Sequence, residues 1–266
     1  MPDFFSQVLA PGRWPTLVFI IARLTGLVVT APLWTMTPLT QSMKAAMIVV
    51  LAIVLLPSSP LVAVPEQVLD LPFPLAMEFV IGVVIGLTAA VLVYGVALAG
   101  EILAIQMGLS MGQVLMPTAG FPDSGIGQIK AFLAMLIYLS VGGHLILLRG
   151  VADSLQMLPP GAPMSLANGS ETCITLLVTL FRTAICAAAP VMVSLLLTHV
   201  AVAILNRVVP QIHTMLVAFP LTIGIGFIMI AASLPVISAT IHVWMSTLPA
   251  SVEGALDSFR LGATVP

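Results

Sequence analysis

The sequence predicts an all-α fold of the integral-membrane type, built of helical hairpins. Three observations carry that prediction. First, 60% of the 266 residues are hydrophobic and 7% are charged, with a mean hydropathy of +1.19, where a soluble domain carries roughly 25% charged residues. Second, several apolar runs reach the roughly 20 residues that a bilayer-crossing helix needs. Third, these runs are continuous rather than strictly alternating, and of the two architectures that satisfy their backbone in lipid, helix and closed barrel, that pattern fits the helix. A soluble chain this apolar would expose large sticky patches. The chain therefore belongs in a membrane, or inside an assembly of similar chains. Nothing in it resembles a soluble second domain, and residues 1–266 are read as a single membrane domain.

The elements follow in order. The N-terminus MPDFFSQVLAPGRW lacks a basic segment leading into an apolar core and cleavage site, so the first apolar segment is expected to serve as the insertion signal. Hydrophobic helices are expected near 14–35, 43–57, 74–98, 102–116, 128–149, 171–205 and 214–247, with a polar tail over 249–266. The segments 43–57 and 102–116 are short for a span. The segments 171–205 and 214–247 exceed one span, and Pro190 and Pro235 are candidate kinks in them. Loops are expected at Pro57–Pro74, with five prolines and two acids, at Pro117–Gln128 and at Leu158–Glu171. Orientation is not legible, because Arg13, Lys44, Lys130, Arg149 and Arg260 are spread too thinly for a charge bias between loops.

Small residues suggest close packing. Gly100, Ala104, Gly108 and Gly112 recur at every fourth position, as one stripe if the segment is a continuous helix. Gly82, Gly86 and Ala90 form a second stripe on the preceding segment. Such faces let helices approach closely, either within the chain, as a hairpin of the two segments, or at an interface between subunits. Beside the first stripe run Leu103, Met107, Met111 and Leu115, with Met116 next. A methionine face at helical spacing reads as core, or as a deformable seal around a pore.

Several chemistries find little support. Net charge is −2 with no basic patch, so nucleic-acid binding lacks its electrostatic footprint. Gly108–Gly112 reads G-x-S-x-G, which marks a nucleophile elbow only between a strand and a helix. An intramembrane protease would use Ser110 with His144 or His199. The histidines at 144, 199, 213 and 242 form no metal-binding pair, and no phosphate-binding loop or dinucleotide fingerprint is present. No cofactor is expected, and no enzymatic activity. Cys173 and Cys186 read as small core hydrophobes. Ionisable residues inside apolar segments are functional candidates. These are Arg23, Glu78, Glu101, Arg182 and Arg207. Arg207 is the one Lys, Arg, Asp or Glu between Thr183 and Val252. With Asn206, Pro210 and Gln211 it reads as a polar joint between two helices, Pro210 ending the helix and the guanidinium donating to freed carbonyls. Glu78 and Glu101 would be the proton carriers if the chain were instead a small-solute transporter.

Several stretches, in order from about residue 13 to 247, resemble the FliR/SctT family of type III export apparatus components. They are RLTGLVVTAPLW, AGEILAIQMGLSMG (Ala99–Gly112), GGHLILLRGVADSLQMLPPG (Gly142–Gly161) and ILNRVVPQIHTMLVAFPL (Ile204–Leu221). The Asn206-Arg207 and Pro210-Gln211 pairs look like the flagellar branch. Met111, Met116, His213 and Met215 depart from residues frequent in the family. The resemblance implies a subunit like a fusion of two partners, FliP and FliQ, assembling with FliP-like, FliQ-like and FlhB-like chains into an export gate. That gate lies in the bacterial inner membrane at the flagellar basal body, surrounded by membrane lipid, and passes unfolded flagellar proteins. It also implies a pore-closing loop, here about 106–128, with Met107, Met111, Met116 and Phe121 as its seal.

Overall fold

The structure, a computed structural model, describes residues 13–37, 39–60, 71–109, 125–162, 166–209 and 214–259. Among these all regular structure is helical. The helices are α1 (Trp14–Thr30), α2 (Pro32–Met36), α3 (Gln41–Leu55), α4 (Pro72–Gln106), α5 (Gly125–Ser140), α6 (Gly143–Met157), α7 (Leu166–Val208) and α8 (Thr214–Asp257). A 3₁₀ turn, Leu56–Ser58, follows α3. Among the described residues four apolar stretches are long enough to cross a membrane: Gln41–Ser58, Pro72–Gln106, Glu171–Val208 and Ala218–Asp257.

The helix boundaries correct the sequence reading in five places. The segment expected near 14–35 divides at the extended Ala31, before Pro32, into α1 and α2. The segments expected at 74–98 and 102–116 are not two arms of a hairpin, because α4 runs unbroken from Pro72 to Gln106. Between them lie only Ala99, Gly100 and Glu101, and one interior glycine costs a helix about 1 kcal/mol, too little to break one that is buried. The segment expected at 128–149 divides into α5 and α6, because Gly142 takes a left-handed conformation, φ +79°, which glycine adopts without strain. The 171–205 segment begins earlier, at Leu166. The tail expected to be polar from 249 is helical to Asp257 and buries Val252, Ala255, Leu256 and Phe259. Those four share one helical face, which is why the segment packs despite its polar composition.

By its internal contacts the chain divides into two compact units. The first comprises Met1–Val91, Leu139–Leu177 and Met245–Pro266. Its core is the contact of α1 with the first half of α4. A Cβ on Gly82 would fall on the Arg23 carbonyl oxygen, and one on Gly26 on the Phe79 carbonyl oxygen. A Cβ on Gly86 would strike the Thr30 hydroxyl. The two backbones therefore touch, and Thr30 Oγ1 donates across them to the Val83 carbonyl, 3.2 Å. The sequence stripe of Gly82 and Gly86 is real, and its partner is α1. In the same unit, Thr172 on α7 donates to Ser258, 2.7 Å, just past α8.

The second unit comprises Leu92–Tyr138 and Val178–Trp244. Its core gathers Ala99, Leu103, Ala104 and Met107 with Ala188, Val191 and Leu195. Met107 is sealed against Gly226, where a Cβ would come within 2.6 Å of its sulfur. The chain leaves α4 through Gly108, at φ +77° beneath the Phe219 ring.

Gly82→Leu is expected to drive α1 and α4 apart at a cost of about 3 kcal/mol or more. Gly224, whose Cβ position is empty, provides the control. Thermal melting followed by size exclusion should show a large loss for Gly82→Leu and none for Gly224→Ala. Equal melting of both would refute the backbone contact.

Candidate functional site

The Gly82–Arg23 backbone contact places two opposite charges side by side. Arg23 projects from α1 and Glu78 from α4, one turn before Gly82, and both side chains are completely buried. Arg23 Nε donates to Glu78 Oε2 at 2.6 Å. One terminal guanidinium nitrogen donates to Ser154 Oγ on α6 at 2.9 Å. The other donates to the Leu158 carbonyl, just past α6, also at 2.9 Å. The Ser154 hydroxyl in turn donates to the Val151 carbonyl, 2.7 Å. The second carboxylate oxygen of Glu78 accepts from the Gly161 amide at 3.0 Å. Gly161 can aim its N–H there because it sits at φ +75°, a conformation open to glycine.

This node holds α1, α4, α6 and the turn after α6 together. Its charges cancel, and both carboxylate oxygens are engaged. A buried ion pair repays its desolvation only when further hydrogen bonds complete it, and Ser154, Leu158 and Gly161 supply them. Each polar side-chain atom named in it is engaged by another group of the node, so its chemistry is that of a clamp.

The sequence marked Arg23 and Glu78 as separate buried charges, 55 residues apart. It missed Ser154 and Gly161 as partners, although both lie in the Gly142–Gly161 stretch singled out there. Lys130 was not among the buried charges, yet its side chain is 1% exposed and its Nζ has no hydrogen-bond partner among the described residues.

The other candidates scatter. The Glu101 carboxylate, partly buried, lies against Gly127 in the first turn of α5, the electropositive end of that helix. Arg182 is exposed on α7 and lines a groove of about 360 Å³ with Thr183 and Cys186. Cys173 is half-buried and Cys186 exposed, so Cys186 is not the core residue expected; it falls on the outward face of an apolar helix. Asn206 and Arg207 occupy the exposed last turn of α7, where a cation complements the helix dipole. Pro210 and Gln211 lie outside the described residues, as do Met111, Gly112, Met116 and Phe121. Gly100 and Ala104 are buried on α4, but Gly108 is already off the helix. The four-residue stripe therefore does not continue as one helical face past Ala104. The G-x-S-x-G stretch follows a helix, not the strand an elbow requires. Among the described residues no group of three metal-ligating side chains comes together.

The pattern of the bacterial export proteins, family 1, matches residues 14–248. The chain is 28% identical to the flagellar biosynthetic protein FliR of Escherichia coli K12 over 225 residues, 85% of this chain and 84% of that one. It is 28% identical to the protein of that name from Bacillus subtilis 168 over 237 residues, 86% of this chain and 90% of that one. The corresponding Aquifex aeolicus protein is 28% identical over 189 residues, 69% of this chain and 70% of that one.

Arg23→Met alone should cost about 3–5 kcal/mol, because Glu78 is left buried and unpaired. Arg23→Met with Glu78→Leu should recover much of that loss. The comparison is a double-mutant cycle on thermal stability in detergent; additive losses would show that the two charges are not coupled.

Proposed function

The chain belongs to the bacterial export proteins, family 1, and from that membership we propose that it is a structural and gating subunit of the flagellar type III export channel. The observation that carries the reading is the family match, which spans residues 14–248 rather than one motif. The relatives named for flagellar biosynthesis are matched over most of their own lengths, which supports the flagellar branch. Four membrane-length apolar helices support a membrane-embedded part. In this reading the subunit sits in the bacterial inner membrane at the flagellar basal body. It assembles with FliP-like and FliQ-like subunits and meets an FlhB-like one.

Much of its apolar surface has no cover in the chain itself. Ile174, Phe181, Leu197 and Ile228 are each more than half exposed, more than an isolated water-soluble subunit tolerates. The node of Arg23 and Glu78 keeps the α1–α4–α6 unit rigid. The 106–128 segment is the proposed seal, with Met107, Met111, Met116 and Phe121, and Met107 is its anchor in the second unit's core. Asn206 to Gln211 is the proposed joint. The chain works without catalysis, and the energy for export comes from elsewhere in the machine. A proton-coupled solute transporter is the weaker reading, because Glu78 has both oxygens engaged by Arg23 and Gly161 and so offers no free site for a carried proton.

The test is co-expression with the host's FliP-like and FliQ-like proteins, mild-detergent purification and native mass spectrometry. The expected result is a defined hetero-oligomer holding one copy of this chain. A monomer or homodimer with neither partner retained overturns the reading. In the same system Arg207→Leu should reduce assembly and motility several-fold, while Glu101→Gln should leave motility intact. The opposite pattern would favour the transporter.

A further inference from the structure

In the second unit, α5 and α8 leave a groove of about 320 Å³ between them. Its rim is apolar and open: Ile129 and Phe132 on α5 and Phe227 on α8 are each at least half exposed. Its floor holds Lys130, which is 1% exposed. The Lys130 Nζ has no hydrogen-bond partner among the described residues. Glu101 lies against Gly127, one turn before Lys130 on α5, but no ion pair joins the two charges. An ammonium group is thus held at the bottom of an apolar groove without an acceptor.

A buried cation with no partner destabilises the chain that carries it. Its natural complement is a carboxylate brought in from outside. The α8 side of the groove is shaped for a helix. Gly224 and Ala231, two turns apart, are exposed on the face that carries Phe227, and a Cβ on Gly224 would meet nothing. Small residues at such a face let a second helix approach closely. Aromatic side chains around a desolvated centre are the usual anchors of a protein interface, and Phe132 and Phe227 flank this one.

We propose that the groove receives an apolar helix of a different chain, and that one Asp or Glu on that helix pairs with Lys130. The inference rests on the reading of this chain as a subunit of a hetero-oligomeric gate, and it names one contact of that assembly. The occupant needs one negative charge that reaches the floor of a narrow groove, and apolar surface to cover Ile129, Phe132 and Phe227. A short acidic side chain on an apolar helix has both. A lipid phosphate is too bulky and too strongly hydrated to follow Lys130 inside, and a free anion covers none of the rim. The acid on the incoming helix is itself unsatisfied until it meets a cation, so the pairing selects the partner: an apolar helix without the acid leaves Lys130 unpaired.

The test places a photo-crosslinker at Phe132 in the full-length chain, expressed in its host with the other export-apparatus subunits, and sequences the captured peptide. The expected result is one apolar segment of a different chain, with an Asp or Glu within about one helical turn of the captured residue. Lys130→Glu should lower capture about tenfold, because two carboxylates then share the groove, and changing the partner's acid to Lys should restore it. Glu101→Gln should leave capture unchanged. Lys130→Met supplies a readout that a merely structural lysine would not move. The melting temperature of the chain purified alone in detergent should rise, since the unpaired amine is gone, while capture falls about tenfold. A crosslink to lipid, to a second copy of this chain or to a segment without an acid overturns the proposal, as does unchanged capture in Lys130→Met. No capture at Phe132 in a chain that still enters the hetero-oligomer overturns the groove and leaves the export reading standing; a chain that stays monomeric overturns both.

Discussion

Arg23 and Glu78 meet where water does not reach, and the surrounding geometry follows from keeping them satisfied. A lone guanidinium buried among leucines would cost several kcal/mol. Its acceptable position is fixed by four partners at once: a carboxylate on α4, a hydroxyl on α6, a carbonyl at the end of α6 and, through the carboxylate, the amide of Gly161. Apolar helices in lipid have little hydrophobic reason to choose one neighbour over another. A buried ion pair with directional partners supplies that choice, because sliding α1 by one turn along α4 would strand both charges. The glycines make the choice reachable. Gly26, Gly82 and Gly86 bring the two backbones into contact, and only at that separation can the side chains of Arg23 and Glu78 both end inside the bundle.

The fold class was plain in the sequence, because composition and run length leave few alternatives to membrane-type helices. The finer boundaries were not. The break expected between 98 and 102 spans Gly100 and Glu101, but glutamate is a good helix former and one glycine costs about 1 kcal/mol, too little to end a helix that its neighbours bury. The bend at Gly142 was hidden because two adjacent glycines carry no instruction beyond permission. The helical tail was obscured by its composition: serine and acidic residues mask four apolar side chains that share one face. In the node, the two charges were visible and their pairing was not, since nothing in a linear sequence marks residues 55 apart as neighbours. Ser154 carried a weak signal, a hydroxyl among the apolar positions of α6.

The two ways of meeting an unsatisfied group divide the molecule. Within the first unit, Arg23, Glu78, Ser154 and Thr30 find partners inside the chain. On α7, Arg182 and Arg207 stand on exposed positions among apolar neighbours. The first kind of residue fixes the subunit's own shape, and the second leaves valences open for whatever surrounds it.

The lengths of the helices set one more condition. The 18 residues of the apolar stretch Gln41–Ser58 and the 38 of Glu171–Val208 correspond to about 27 and 57 Å along their axes, against a hydrocarbon layer of about 30 Å. No single bilayer thickness suits both. A membrane that meets this chain alone must thin, swell or force α7 into a steep tilt, each at a cost in elastic energy. Hydrophobic mismatch of this size makes the bare subunit a poor solute for its own membrane, and a protein annulus around α7 relieves it where lipid cannot.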